Sequence, residues 1–429
     1  MHSHIDLHLH LLQSLRLTDL IELATPYYRD IDWNRFGFLD RYEKIFGFRP
    51  SIIEAFDRVV QTGHNDLLAR WMIYRYHSNG SFQEFDVLSF FPICITGYYF
   101  DHNMEHLVFD KIIERAKKEH LTYVQYRHGF VFTTYEEWSY WNLLLMRYFK
   151  RVSTQDFQVR YIIRIHPLFI DYLFQLLDEN KDLADVVVGI DFTGAEKSPV
   201  DLVDFYDKIR QYNLHHLNQL DVMIHSGEVF DDRSIESAIR WIHDSVKLGA
   251  TRIGHAVVLG LDPHIMVHRY ADAYTKETVK ERLAQLDYDL KHEDLLKKYG
   301  VHIDRALILR EKNELQRLDH QQLIHRDYDK HRIEDIKNRQ RMVIDYLEDK
   351  KTPIEVCPTS NLCIAGLPSP SHHPLFRFMK TQLQLVICTD DPGVFDISLN
   401  DEIVYVKQLL HLDESTFINH FVDPICFIK

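Results

Sequence analysis

The hexapeptide Ile5-Asp6-Leu7-His8-Leu9-His10 alternates strictly between apolar and polar residues. That period of two is the pattern of a β-strand, with Leu7 and Leu9 on one face and His8 and His10 on the other. Imidazoles two residues apart on one strand face lie about 7 Å apart along it, a spacing that lets both reach one metal ion. In a chain with 27 histidines such a pair is a weak signal by itself. Its weight depends on what the other strands carry.

Seven further short apolar runs read as buried strands: Tyr123–Arg127, Arg160–Ile165, Val186–Phe192, Val222–His225, Arg252–His255, Ile354–Cys357 and Leu385–Thr389. Longer segments of helical period separate them. Eight strands alternating with helices predict an α/β fold, specifically a (β/α)8 TIM-type barrel. The chain has 429 residues, well beyond the roughly 250 of a bare barrel. One barrel domain over 1–429 is therefore expected to carry two helical insertions. The first, at 11–120 after strand one, contains the aromatic-rich stretch 85–100 (FDVLSFFPICITGYYF), read as the core of a helical subdomain or as a wall over the site. The second, at 261–350 after strand six, holds 19 acidic residues, 18 basic residues and one glycine. Balanced charge at that density predicts exposed helices with i,i+4 pairs. Strand-to-helix connections emerge on the catalytic face, so this insertion is expected on that side.

Composition narrows the function. At 45% hydrophobic and 27% charged residues the chain can bury a large core. A net charge of −14 does not favour binding of a nucleic-acid polymer. Five scattered cysteines form no C-x-x-C pair, so neither a disulfide framework nor a zinc ribbon is indicated. No apolar run reaches membrane-spanning length, and the first residues lack a signal-peptide pattern, so a cytoplasmic protein without a membrane partner is expected. Signatures of cytidine-type zinc deaminases, H-E-x-x-H metalloproteases, P-loops, dinucleotide folds and G-x-S-x-G hydrolases are all absent.

In a barrel, residues at the C-terminal ends of the strands converge on one site. Strand five ends in His225-Ser226-Gly227-Glu228, strand six in Arg252-Ile253-Gly254-His255 and strand eight in Thr389-Asp390-Asp391-Pro392. With His8 and His10, four strand ends carry residues of the metal-ligand type, and a metal centre is expected there. Read singly, each has a plainer explanation. Glu228 would suit a helix first turn, and Asp391 before Pro392 would suit a turn.

Together with Asp191-Phe192-Thr193-Gly194 and Val356-Cys357-Pro358-Thr359-Ser360-Asn361, these motifs resemble the adenosine deaminase family of metal-dependent amidohydrolases. The resemblance implies one Zn²⁺ per chain, held by His8, His10, His225 and Asp390. It implies a small-molecule purine substrate and hydrolysis of adenosine or deoxyadenosine to the inosine product and ammonia. Zinc would lower the pKa of water to about 7, Glu228 would protonate N1, and His255 would orient or deprotonate the attacking water. Asp391 would hydrogen-bond N7 and Gly194 would meet N3 through its backbone. Catalysis would thus fall to Glu228, His255 and Asp390, and substrate contacts to His10, Gly194 and Asp391.

The sequence departs from the family after His10. Leu12 stands where classical members carry an acid for the ribose 5′-hydroxyl. Adenine nucleotides, AMP or ATP, are therefore an alternative substrate class, as in deaminases of anti-phage or CRISPR-associated systems. Arg16, Arg41, Lys44, Arg49, Arg127 and His128 are candidate phosphate donors. A catalytically inactive barrel serving binding or assembly is a reading of another class. The insertions leave room for a homo-oligomer.

Overall fold

A computed structural model describes residues 4–130, 134–192, 202–229, 233–269 and 276–428. Its main sheet has eight strands: β1 (Ile5–His10), β2 (Tyr123–His128), β3 (Gln158–Arg164), β4 (Val187–Phe192), β5 (Asp221–Ser226), β6 (Arg252–His255), β9 (Ile354–Val356) and β10 (Leu385–Ile387). Neighbours pair in that order, all parallel. The sheet closes where Asp390 N donates to His8 O at 2.8 Å and His10 N donates to Asp390 O at 3.0 Å. The expected (β/α)8 barrel is the observed fold. All eight runs read as strands are strands, with ends shifted by one or two residues.

The apolar alternation explains the packing. Leu9, Tyr126, Tyr161, Ile163 and Ile190 join the main core under the surrounding helices. The opposite faces turn inward and hold charge: Arg127, Asp191, Arg252 and Glu355 are fully buried.

The first insertion is helical. Its longest helix, Phe82–Asp101, starts at a capping box in which Ser81 and Glu84 exchange hydrogen bonds. Phe85, Phe91 and Tyr99 are buried in the main core, so the aromatic stretch packs the subdomain. Phe85 also stacks on Phe395 at 5.5 Å, just beyond Asp391.

The second insertion contains helices Val279–Lys291 and Arg305–Leu315, but also a small antiparallel ladder of β7 (Lys276–Thr278) and β8 (Leu323–His325). Its charges are not arranged mainly as surface i,i+4 pairs. Arg282 forks onto Glu311 at 2.7 and 2.8 Å, and Arg339 onto Asp289 at 2.7 and 2.9 Å, joining separate segments. Arg332 binds Glu236 of the barrel helix Ile235–Leu248 at 2.6 Å. The pairs reach across segments because the helices stack into a second layer, which places the guanidinium groups between elements. Glu281 and Tyr328 bind Ser237 and Ile235 at the start of helix Ile235–Leu248, while Tyr288 and His292 pack further down it against His243 and Lys247. The insertion thus begins at the catalytic rim and runs down the outside of the barrel. Among the described residues no helix is long and apolar enough to cross a membrane.

Candidate metal centre and active site

His8 and His10 end β1 on the inward face, His225 ends β5, and Asp390 follows β10. One ligand-type atom from each lies within 4.8 Å of all the others. His8 Nε2 is 3.0 Å from His225 Nε2 and 3.4 Å from Asp390 Oδ1.

The outer nitrogens explain this crowding. Nδ1 of His8 donates to Glu355 Oε2 at 3.1 Å, Nδ1 of His225 to Asp191 Oδ1 at 3.0 Å, and Nδ1 of His10 to Asp391 Oδ1 at 3.0 Å. Each of these oxygens accepts, so each ring carries a proton on Nδ1 and turns Nε2 inward. Two imidazole nitrogens facing each other at 3.0 Å repel unless a cation or a shared proton lies between them. His10 Nε2 and Asp390 Oδ1 are buried and have no hydrogen-bond partner. Three imidazoles, each held by a carboxylate, plus one carboxylate oxygen form a donor set that fits zinc.

Burial keeps His10, His225 and His255 neutral, whereas at His8 the hydrogen bonds to Asp390 and Glu355 outweigh burial and raise the ring. Burial lowers His10 to about 3 and His225 to about 4, and pushes His255 well below its ordinary value. Burial works against ionised Glu355, but Arg127 and Arg252 outweigh it and hold the carboxylate low. Asp391 is raised by burial and by the adjacent Asp390 charge.

A second group surrounds this one. Glu228, His255 and Asp390 also bring ligand-type atoms within 4.8 Å of one another. Glu228 Oε1 is 3.5 Å from His255 Nδ1 and 3.5 Å from Ser360 Oγ. Ser360 Oγ donates to Asp390 Oδ2 at 2.6 Å, and Asn361 Nδ2 donates to His255 Nδ1 at 2.8 Å. The latter bond leaves the His255 proton on Nε2, which is buried and has no partner.

Backbone strain collects here. His255 has φ 68° and Asp390 φ 69°. Non-glycine residues in that region cost about 1–3 kcal/mol and persist where the surroundings fix them. Gly227 has φ +67°, and a Cβ there would lie 2.6 Å from Val258 Cγ1, so glycine is required just before Glu228.

The structure therefore gathers His8, His10, His225, Asp390, Asp391, Glu228 and His255 in one place. Gly194 lies outside the described residues. The candidate phosphate donors mostly lie elsewhere. Arg16 is buried against Glu119 and Pro392 O, Arg41 and Arg49 pair with Asp86 and Asp40 in the first insertion, and Arg127 is fully buried within the barrel. Leu12 belongs to the main core. Sequence reasoning missed the supporting side chains Glu355, Asp191, Ser360 and Asn361, although all but Glu355 sit inside motifs it quoted. The signal for Glu355 was an acid in the middle of a buried apolar strand.

Residues 309–423 match the family model for adenosine deaminase, a span that includes Ser360, Asn361, Asp390 and Asp391. An aminodeoxyfutalosine deaminase of Streptomyces coelicolor is 35% identical over 72 residues, 17% of this chain and 19% of the relative. An N6-methyl-AMP deaminase of Bos taurus is 30% identical over 86 residues, 20% of this chain and 24% of the relative. The chain thus spans about a fifth of the length of the curated relatives it matches. A solved structure of an Arabidopsis N6-methyl-AMP deaminase aligns with TM-score 0.55 at 18% identity, covering 99% of this chain and 93% of that one. At that identity the likeness is one of fold.

Proposed function

We propose that this chain, whose residues 309–423 match the adenosine deaminase family model, is a member of that family and a zinc-dependent hydrolase releasing the 6-amino group of adenosine or deoxyadenosine as ammonia. The observation that carries this reading is the convergence of three carboxylate-backed histidines and Asp390 beside Glu228 and His255. His8, His10, His225 and Asp390 would hold the ion. When bound, such an ion supplies a Lewis acid that lowers the pKa of water to about 7.

The remaining work falls to side chains. Glu228 protonates purine N1, which makes C6 a better electrophile and is worth about 10²–10⁴-fold. His255, fixed by Asn361, donates from Nε2 to the attacking oxygen. Asp390, whose Oδ1 would face the ion while Ser360 holds Oδ2, takes the proton from the attacking water and passes it to the departing amine. Asp391 accepts from His10 and donates its own proton to N7. Water adds at C6, the C6–N6 bond breaks, and ammonia leaves.

A second reading, deamination of AMP or ATP, is favoured by one feature. His128 and Arg164 end β2 and β3 on the catalytic face, beside His10. After burial, the Arg164 charge is the next cause holding His128 at about 3. A cation at this edge complements a 5′-phosphate. Among relatives, one carries the name N6-methyl-AMP deaminase.

The test is a parallel assay of adenosine, deoxyadenosine, AMP and ATP with zinc-loaded protein, reading ammonia and the product base. Turnover of nucleosides supports the first reading. Turnover of nucleotides that falls in Arg164→Met more than nucleoside turnover does supports the second. No turnover of any of them, with zinc bound, overturns both.

A further inference from the structure

Beneath the ligand cluster lies a charge network that the steps above do not use. Arg127, on β2, is fully buried. Its Nη2 pairs with Glu355 Oε2, and its Nη1 lies 3.8 Å from Asp191 Oδ1. These are the two carboxylates that accept Nδ1–H from His8 at 3.1 Å and from His225 at 3.0 Å. Arg252 approaches Glu355 from the other side, Nη1 to Oε1 at 2.7 Å, and donates to Gln125 Oε1 at 2.5 Å. Among the described residues, Arg127 is the one cation paired with both carboxylates.

The arrangement goes beyond what packing needs. Two guanidinium groups and two carboxylates inside a barrel carry a heavy desolvation cost, and apolar residues of similar volume would fill the space without it. Arg127 Nε and Nη1 have no hydrogen-bond acceptor, so toward Asp191 the guanidinium acts as charge rather than as a donor. A carboxylate that is held ionised and fixed in place holds its histidine in one tautomer and one orientation. Arg127 does this for two histidines from different strands.

We propose that Arg127 is a positioning residue for the metal centre: by joining Glu355 to Asp191 it sets His8 and His225 together, so that metal affinity depends on it although it touches no ligand atom. The inference rests on the metal reading of the site. It makes the two imidazoles one coupled unit, whereas independent supports would contribute separately.

The experiment measures zinc affinity by chelator competition on metal-stripped protein, with fold and Tm of each variant checked by circular dichroism. Loss of an outer support costs about 10–100-fold in affinity. Arg127→Met is expected to lose about 10²-fold, and that loss is expected to shrink several-fold in both the Glu355→Gln and the Asp191→Asn backgrounds. Arg127→Lys keeps a charge but, as a point charge, reaches one carboxylate at a time; about tenfold is expected there. If Arg127→Met does not fold, Arg127→Lys carries the test. Affinity within twofold of the parent in a folded Arg127 variant overturns the proposal, as does a loss that shrinks in one background only. A parent that takes up no zinc overturns the metal reading, and this inference with it.

Discussion

Gly254 of β6 lies against the His8 ring of β1: a Cβ on Gly254 would stand 3.1 Å from His8 Cε1 and 3.3 Å from Ile224 O. The bare backbone forms one wall of the slot that orients this imidazole. A methyl group there must move the ring, because the backbone carbonyl behind it cannot yield.

Gly254→Ala is therefore expected to fold and to lose zinc affinity by about tenfold, the scale of a disturbed outer support. Chelator competition against the parent checks it. Equal affinities would mean that His8 tilts away without leaving the ion.

Metal analysis is expected to give about one zinc per parent chain, as four converging ligands require. The double variant His8→Ala, His10→Ala removes two of the four and is expected to retain almost none. Full retention would place the metal elsewhere.

Glu228→Gln keeps the size of the side chain and its contacts with His255 and Ser360 while removing the proton offered to N1. The variant is expected to bind zinc and substrate like the parent and to lose about 10² or more in kcat. A kcat within a few-fold of the parent assigns that proton to another group.

The junction between the second insertion and the barrel is expected to respond to acid. Burial raises Glu236, but Arg332 outweighs it, and the carboxyl sits at about 2 rather than 4.5. A depressed carboxyl stabilises the fold above about pH 4.5 and loses that contribution as pH falls toward 2. Full strength is roughly 3 kcal/mol at about 1.4 kcal/mol per unit. Urea unfolding of metal-stripped protein between pH 6 and 3 is expected to show a steeper stability loss in the parent than in Glu236→Gln. Parallel curves would show that the Arg332 pair contributes nothing.

The barrel is legible in the sequence because its strands are short, apolar and evenly separated, and the ligands are legible because histidine and aspartate recur at strand ends. The supports of those ligands are harder to read. Glu355 looks like a misplaced charge until folding brings it within 3.1 Å of His8, 347 positions away. Charges in the second insertion look like surface pairs because sequence spacing shows i,i+4 neighbours, whereas Arg339 and Asp289 meet only when two helices stack. Leu12 looks like a specificity position from its place beside His10. In the structure it fills core space, so an acid there would chiefly measure the cost of burying a charge.

The closure of the barrel has a mechanical consequence. Its seam joins the first strand to the segment just after the last, among the described residues through two backbone hydrogen bonds between His8, His10 and Asp390. Three of the four candidate ligands sit on that seam, two on one side and one on the other. An ion there works as a clasp on a hoop, fastening the first strand of the barrel to the segment after its last across roughly 380 positions, an interval at which loop closure is entropically costly. Stripping the ion unfastens the hoop where it is thinnest. Amide exchange in metal-free protein should therefore quicken first at His10 and Asp390, while β3, β4 and β5, paired on both sides, keep their protection.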